Sequence, residues 1–399
     1  MADYDIITVG GGLAGSSLAM AMAGRGHRVL VLERETAFKD RVRGEQMASW
    51  GVADAKALGV FDILKSGCGH LVDLWAIYVG SMAVMQRTLS ESTTAGVPNI
   101  TFYHPAMQEA LIGAAEAAGA TVIRGARVTG IEPGTTPSVT YERNGSSERA
   151  SARLVAATDG RNSPARKWGG FSEVQDPPRL QIGGVLLEGV DLPDDTLRLH
   201  FQPNEGRSAI LFPQGGDKLR AYFACRTDRP RLSGEEGYKE MINQFAAIGV
   251  DRGIFERAKM VGPLATFAGA DCYVPGPYRA GVALVGDAAA TSDPAWGQGL
   301  SLTIRDVRTL RDKLVESDDW DAAGTSYATA HDEYYGRLHK FEDWFTTFWY
   351  EVGPEADAMR ARAFPLRAAE GFPDPFQSGP ESAEATPEAR RHFFAEDAA

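Results

Sequence analysis

The chain has 399 residues, of which 44% are hydrophobic and 24% charged, a composition typical of a folded protein with room for two ordinary domains. Its net charge of −12 argues against nucleic acid or an anionic membrane as the main partner. Three widely spaced cysteines match neither a disulfide framework nor a zinc motif, so we predict no metal site. The acidic N-terminus is unlike a secretory signal, and glycines interrupt the longest apolar run. We therefore expect a cytoplasmic protein without a membrane span.

The first 33 residues predict a strand, a helix and a second strand parallel to the first. Residues 5–9 are apolar and end in glycines, as a buried parallel strand does. Residues 13–23 are rich in Ala, Met and Leu, which favour a helix. Residues 28–33 form the second apolar run and end in an acid. A strand, helix and strand in this order make a right-handed parallel unit.

The loop between this strand and helix fits the pattern G-x-G-x-x-G. Gly10 allows the sharp turn, Gly12 lets the backbone approach a pyrophosphate, and Gly15 allows the helix to pack closely on the strand. The helix start offers free N–H groups and a positive dipole end to phosphates. Glu33, at the end of the second strand, can accept hydrogen bonds from ribose hydroxyls. The loop therefore predicts a dinucleotide site, but it does not distinguish FAD from NAD.

Later segments predict a change from parallel to antiparallel strands and back again. The further predicted strands are residues 72–79, 82–89, 121–123, 127–131, 153–158, 181–187, 197–201, 208–212, 218–224 and 281–287, and the further helices are residues 105–118, 235–248 and 300–315. The strands between residues 177 and 270 alternate polar and apolar residues, which favours an antiparallel sheet. The sequence therefore predicts one discontinuous domain with an antiparallel insertion.

Two further segments point to the ligand of the glycine loop. Asp159 and Gly160 follow a predicted strand, and Asp287 follows another, where a carboxylate can bind the sugar-like hydroxyls of a cofactor. Residues 294–300, with the sequence PAWGQGL, then begin a helix whose glycines leave backbone N–H groups accessible.

In this order, the three segments resemble the FAD-dependent aromatic monooxygenases of the p-hydroxybenzoate hydroxylase type, the group A flavoprotein hydroxylases, over about residues 4 to 315. The resemblance implies that FAD lies extended, with Asp287 on its ribityl chain and the helix start after Gly297 at the pyrimidine edge of the flavin. It also implies that Arg43 lies near the cofactor and His104 against the ribityl chain, although His104 could instead cap the helix that follows. The cofactor-binding residues expected from the motifs and the resemblance are Gly10, Gly12, Leu13, Ala14, Gly15, Glu33, Arg34, Arg43, His104, Val128, Asp159, Gly160, Asp287, Pro294, Gly297, Gln298, Gly299 and Leu300.

The expected fold class is α/β, with a Rossmann-like FAD-binding domain, an inserted, mainly antiparallel β-sheet domain for the substrate, and a C-terminal helical region. The expected boundaries are residues 1–71, 95–176 and 271–318 for the FAD-binding domain, 72–94 and 177–270 for the substrate domain, and 319–399 for the C-terminal region and tail. Aromatic residues between 334 and 350 predict core or dimer packing, and a homodimer is compatible with the sequence. The proline-rich residues 353–399 predict a tail that is either loosely structured or wrapped over the surface.

The resemblance also implies the chemistry. NADH or NADPH, bound transiently, would reduce FAD, and O2 would add to the flavin C4a atom as a hydroperoxide that hydroxylates or epoxidises an electron-rich aromatic or polycyclic small molecule. The substrate should lie between the inserted sheet and the flavin. Its predicted contacts are Trp75, Gln181, Phe212, Tyr222 and Trp296. Core packing is the better explanation for most of them, except for Trp296, whose loop adjoins the flavin in the family that the chain resembles. His200 or Tyr222 could assist deprotonation of a phenol, but the sequence does not identify a catalytic base.

Three alternatives share the cofactor fold. A reductase of an unsaturated, prenyl-like substrate is the main one, because the stretch Arg43, Gly44 and Glu45 recurs in such enzymes. A flavin-dependent halogenase commonly carries W-x-W-x-x-P, a spacing that none of the seven tryptophans shows. A non-catalytic or redox-sensing FAD module is disfavoured by the intact segment 294–300.

Overall fold

An eight-stranded sheet carries the N-terminal part of the chain in the computed structural model, which describes residues 2–396. Five of its strands are parallel, in the order Val282–Leu284, Ser146–Ala157, Tyr4–Val9, Val29–Glu33 and Thr121–Arg124. Its antiparallel strands are Tyr278–Arg279, Ser138–Arg143 and Arg127–Glu132. The central strands are almost wholly apolar because both of their faces are buried.

A second sheet of eight strands contains the insertion. Its order is Lys259–Met260, Leu180–Glu188, Leu219–Arg226, Arg207–Pro213, Thr196–Gln202, Leu74–Val79 and Met82–Thr88, with Ala265–Gly269 also paired to Leu180–Glu188. All of these pairs are antiparallel except the one between Thr196–Gln202 and Leu74–Val79. The predicted fold class is therefore confirmed, and the predicted strands 72–79 and 82–89 pair with each other in this sheet.

Two three-stranded sheets join segments that are distant along the chain. The first consists of Gln46–Met47, Asn99–Phe102 and Gly69–Val72. The second consists of Val174–Gln175, Cys272–Tyr273 and Ala290–Thr291. This second three-stranded sheet brings together residues from both sides of the insertion, and its last strand leads to Pro294.

Helices cover both large sheets. They are Leu13–Ala23, Ser49–Leu58, Phe61–Gly67, Leu89–Ser92, His104–Ala117, Ala165–Trp168, Gly234–Ile248, Gly299–Glu316, Trp320–Tyr350, Pro354–Glu370, Pro375–Ser378 and Pro387–Phe393. Short 3-10 helices cover Pro203–Glu205, Arg252–Phe255, Gly286–Ala288, Pro294–Trp296 and Pro380–Ser382. Sequence analysis missed Ser49–Leu58, which is buried on most sides and so shows no polar stripe. Within residues 2–396, no helix combines the length and apolar character needed to cross a membrane.

The expectation of a loosely structured tail is wrong for the residues that the structure describes. Phe393 and Phe394 are each only 1% exposed, and they pack with the aromatic residues of Trp320–Tyr350. Those aromatic residues therefore belong to the core of the single chain. The prolines misled the prediction because Pro354 and Pro387 occupy first turns of helices, where proline is favourable.

Candidate functional site

A cavity of about 620 Å³ opens at the carboxyl ends of the parallel strands, where open α/β sheets bind ligands. Thirteen of the predicted cofactor residues line it: Gly10, Gly12, Leu13, Ala14, Glu33, Arg34, Arg43, His104, Val128, Asp159, Gly160, Asp287 and Leu300. The structure thus brings together residues from the first loop, the centre of the chain and the strand end at residue 285. These residues surround one space of the size that small-molecule and cofactor sites usually have.

The glycines of the first loop serve different purposes. A Cβ atom on Gly15 would lie 1.9 Å from the carbonyl oxygen of Gly10, and one on Gly10 would lie 2.7 Å from that of Thr158. Gly10 also has a φ of +105°, which favours glycine. A Cβ atom on Gly12 would meet only Gln108 Nε2, at 3.7 Å, because Gly12 borders the cavity. Packing therefore requires Gly10 and Gly15, whereas Gly12 leaves space that a phosphate can occupy.

The Glu33 carboxylate is fixed by two backbone N–H groups. Its Oε2 accepts a hydrogen bond from Gly11 N at 2.7 Å, and its Oε1 accepts one from Glu35 N at 2.7 Å. Glu33 is buried yet lines the cavity. Since a carboxylate oxygen can accept more than one hydrogen bond, both oxygens can still receive ribose hydroxyls.

Asp287, Arg43 and His104 are ionisable residues that line the cavity and influence one another. Burial raises the pKa of Asp287, and the nearby positive charge of Arg43 opposes this increase. Burial lowers the pKa of His104 to about 4, and Arg43 acts in the same direction. His104 is therefore neutral at pH 7, and its Nδ1 can donate to the Gly44 carbonyl 3.0 Å away. His104 is the first residue of its helix, and Glu45 Oε1 accepts its backbone N–H at 3.0 Å, so Glu45 caps this helix.

The Asp159 side chain stabilises the turn that follows it. Its Oδ1 accepts a hydrogen bond from Ser163 Oγ at 2.5 Å, and its Oδ2 accepts one from Ala165 N at 3.1 Å. Gly160 has a φ of +81° and would have open space around an added Cβ atom. The carboxylate thus holds a glycine turn whose backbone borders the cavity.

Five of the predicted cofactor residues are not among those that line the cavity: Gly15, Pro294, Gly297, Gln298 and Gly299. The amide of Gln298 holds the loop before the helix, since its Oε1 accepts from Trp50 Nε1 at 3.1 Å and its Nε2 donates to the Trp296 carbonyl at 2.7 Å. A Cβ atom on Gly299 would lie 3.9 Å from Asp287 Oδ1. The helix start therefore adjoins the cavity wall beside Asp287.

Four of the predicted substrate residues lie in one apolar cluster: Trp75, Phe212, Tyr222 and Trp296. The C-terminal helices cover this cluster. The Trp296 ring stacks on that of Phe376 with 5.3 Å between centroids, and its Nε1 donates to Thr346 Oγ1 at 3.0 Å. The fifth predicted contact, Gln181, and the candidate base His200 differ. Side chains alternate along a strand, and Gln181 and His200 alternate with the neighbours that face the cluster.

The contacts of Gln181 and His200 confirm that they face away from that cluster. Gln181 Nε2 donates to the Arg229 carbonyl at 2.6 Å, and the His200 ring stacks on Tyr78 with 4.2 Å between centroids. Gln181 and His200 therefore lie on the opposite strand face from Tyr222, which the sequence alone does not show.

Sequence analysis also missed a buried ion-pair network that holds residues 40–45. Arg220 and Glu45 have side chains that are 0% exposed, and Arg220 Nε lies 2.7 Å from Glu45 Oε2. Arg220 Nη2 reaches Asp40 Oδ2 at 3.1 Å, and Tyr222 Oη donates to the Arg43 carbonyl at 2.9 Å. Burial raises the pKa of Tyr222, so its hydroxyl remains a protonated donor. The network joins the inserted sheet to the segment that carries Arg43.

Replacing Phe376 by alanine should lower the free energy of unfolding by about 1–2 kcal/mol, because this half-buried ring loses its stacking on Trp296. Urea unfolding of the flavin-loaded protein measures the change. The exposed Val352→Ala is the matched control, with an expected effect below about 0.5 kcal/mol. Equal stability of the two variants would show that the tail does not support the Trp296 loop.

Comparisons with known proteins agree with this geometry. The chain matches the family model described as FAD binding domain over residues 3–343. It is 25% identical over 305 residues to digeranylgeranylglycerophospholipid reductase 1 of Methanococcoides burtonii, with 75% of this chain and 71% of the relative covered. It is 27% identical over 346 residues to rifampicin monooxygenase of Streptomyces venezuelae, with 82% and 68% covered.

Among solved structures, p-nitrophenol 4-monooxygenase of Pseudomonas putida has the same fold, with a TM-score of 0.78 at 16% identity over 99% of this chain and 97% of that chain. The predicted resemblance to FAD-dependent aromatic monooxygenases is confirmed. By its match over residues 3–343, the chain belongs to the FAD binding domain family and is an FAD-dependent oxidoreductase.

Proposed function

We propose that this protein is a monooxygenase that uses FAD, NADH or NADPH, and O2 to hydroxylate or epoxidise an electron-rich aromatic or polycyclic small molecule. The observation that carries the proposal is that the glycine loop, Arg43, His104 and Asp287 line one cavity at the strand ends. Bound there, FAD supplies the activation of O2 and the transfer of one oxygen atom. The protein's task is to bind, orient and exclude water.

The first loop and the first helix would bind the pyrophosphate of FAD. The backbone at Gly12 leaves room for phosphate oxygens, and Leu13–Ala23 directs its N-terminal N–H groups and positive dipole end toward them. Glu33 would accept the ribose hydroxyls. Arg34 and Arg43 add positive charge to the same cavity wall, which favours a doubly charged pyrophosphate.

Asp287 and the start of Gly299–Glu316 would hold the flavin end. The Asp287 carboxylate would accept hydrogen bonds from ribityl hydroxyls, and neutral His104 would add a polar contact beside it. The helix start would present positive potential to the pyrimidine edge of the ring, where negative charge develops on reduction.

The apolar face of the inserted sheet would orient the substrate. Trp75 and Phe212 lie on this face, and Trp296 joins it from the loop that precedes Gly299–Glu316. Their rings favour a planar, apolar ligand, and their burial keeps water away from the reacting atoms. Tyr222 faces the same cluster, but its hydroxyl already donates to Arg43, so we assign it a structural role rather than that of a base.

The activity is tested with the purified, flavin-loaded protein. NADH or NADPH oxidation and O2 consumption are followed across a panel of phenols and polycyclic aromatics, and the products are identified by mass spectrometry. A substrate that stimulates O2 uptake and gains one oxygen atom supports the proposal. Saturation of a carbon–carbon double bond without O2 uptake contradicts it.

Reduction of an unsaturated, prenyl-like substrate is the second candidate. Similarity to a digeranylgeranylglycerophospholipid reductase favours it, since that relative matches 75% of this chain. An anaerobic assay with a polyprenyl lipid and chemically reduced flavin distinguishes it, because only the reductase needs no O2.

Replacing Asp287 by alanine should weaken FAD binding by about 10- to 100-fold, because hydrogen bonds to a charged carboxylate contribute about 1.5–3 kcal/mol. Titration of the flavin-free protein with FAD, followed by flavin fluorescence, measures the dissociation constant. The exposed Asp318→Ala is the control and should bind FAD like the unmodified protein. Unchanged affinity in the Asp287 variant would refute the role assigned to this carboxylate.

A further inference from the structure

Two carboxylates and a histidine meet beside the second small sheet, although the sequence predicted no metal site. Asp176 follows the strand Val174–Gln175, Asp271 precedes Cys272–Tyr273, and His339 projects from the long C-terminal helix. One donor atom of each lies within 4.8 Å of the others. His339 Nε2 is 2.6 Å from Asp176 Oδ2 and 3.9 Å from Asp271 Oδ2.

Two buried oxygen atoms behind Asp271 have no hydrogen-bond partner among the described residues. They are Oε2 of Glu342, a residue that is 2% exposed, and the hydroxyl of Tyr335. The other oxygen of Glu342 accepts from Ser292 Oγ at 2.6 Å. The Tyr335 ring stacks on that of His339 with 5.7 Å between centroids, which places this side chain beside the same cluster. Unpartnered polar atoms next to a cluster of ligand-type side chains point to a bound group.

The charges around this cluster are unbalanced. The side chains near Asp271 are the carboxyl groups of Asp176, Asp293 and Glu342 and the imidazole of His339. Asp293 is itself buried, and its backbone N–H donates to Asp271 Oδ1 at 3.0 Å. Four carboxyl groups therefore lie near one histidine, an arrangement that either a shared proton or a cation can stabilise.

We propose that Asp176, Asp271 and His339 bind one divalent transition-metal ion of the zinc type. One imidazole nitrogen and two carboxylate oxygens form a ligand set that such an ion accepts. Adjacent ligands of an ion with bonds of about 2.1 Å lie roughly 3.4 Å apart, so an entering ion would have to replace the 2.6 Å hydrogen bond between His339 and Asp176 and move these two side chains apart. Asp176 is partly exposed, which gives the ion a path from solvent.

The proposed ion would fasten the C-terminal helix to the small sheet. Glu342 lies against Asp271 and would help to orient it, as outer partners of metal ligands commonly do. The third strand of that sheet, Ala290–Thr291, directly precedes the loop that carries Trp296 and Gly297. We assign the site a structural role, which does not depend on the proposed oxygenation.

Metal analysis of untagged, flavin-loaded protein tests the proposal. After dialysis against a chelator, the protein is titrated with zinc chloride, and bound zinc and the thermal midpoint are measured, with magnesium chloride as the comparison. We expect one zinc ion per chain and a rise in midpoint that magnesium does not give. Clearly less than one bound zinc ion per chain, or an equal rise in midpoint with magnesium, overturns the proposal. The cluster would then consist of a His339–Asp176 ion pair and a proton shared by Asp271 and Glu342.

Variants locate the ion. His339→Gln and Asp271→Asn should each weaken zinc binding at least about 10-fold, and Glu342→Gln should have a smaller effect. His392→Gln, at an exposed histidine paired with Glu370, is the control and should bind zinc normally. Flavin absorbance of each variant verifies the fold. Unchanged zinc affinity in folded His339→Gln refutes the site.

Discussion

Replacing Gly15 by alanine should abolish FAD binding together with the native structure of the first loop, whereas replacing Gly12 should weaken binding and leave the loop intact. A Cβ atom on Gly15 would lie 1.9 Å from the Gly10 carbonyl oxygen, far inside van der Waals contact. Relief of that overlap requires a shift of the helix from the strand, at a cost of about 3 kcal/mol or more. A Cβ atom on Gly12 meets no closer atom than Gln108 Nε2 at 3.7 Å, so the fold accepts it.

The Gly12 variant should nevertheless bind FAD at least about 10-fold more weakly, because its methyl group takes the space of a phosphate oxygen. Thermal unfolding without flavin measures the fold, and FAD titration measures the site. Gly113→Ala is the matched control: Gly113 lies within the helix His104–Ala117 with no atom near an added Cβ, so alanine should stabilise it by about 1 kcal/mol. Normal FAD affinity in Gly12→Ala would refute the proposed path of the pyrophosphate.

Replacing Arg220 by methionine should lower the free energy of unfolding by about 3–5 kcal/mol, because the buried Glu45 carboxylate would lose its counterion. FAD affinity should also fall, since Asp40 and Glu45 flank the segment that presents Arg43 to the cavity. Urea unfolding and FAD titration measure the two effects.

A double variant separates the ion pair from the loss of packing. If an uncompensated charge causes the instability, adding Glu45→Gln to Arg220→Met should restore part of the lost free energy. Arg149→Met removes an exposed ion pair with Glu132 and should cost less than about 1 kcal/mol. Equal losses in the Arg149 and Arg220 variants would show that the buried pair does not hold the segment.

Features with local causes were predictable from the sequence. The roles of Gly10 and Gly15 follow from the turn and the helix packing that their motif requires, and the structure shows the contacts expected for both. The spacing of apolar residues predicted a helix over residues 105–118, and the observed helix is His104–Ala117. Asp287 lies on the predicted cavity because the carboxyl ends of parallel strands share one edge of the sheet.

Features that depend on distant residues were not predictable. Arg220 and Glu45 are 175 positions apart, and nothing local to either residue indicates their pairing. The same is true of Asp176, Asp271 and His339, which only the folded chain brings together. The sequence also could not show on which face of the sheet Gln181 and His200 lie. Alternation along a strand defines two faces, but it does not indicate what each face contacts.

The order of strands in the first sheet also affects how the protein is made. Ser146–Ala157 pairs with Val282–Leu284, which leaves the ribosome only after the whole insertion has been synthesised. At ~5–20 residues per second, one edge of the nascent sheet stays unpaired for roughly 10 seconds. The parallel pairing of Leu74–Val79 with Thr196–Gln202 imposes a similar wait on the second sheet. Newly made chains therefore expose open strand edges during translation, and chaperones that shield such edges should increase the yield of soluble protein.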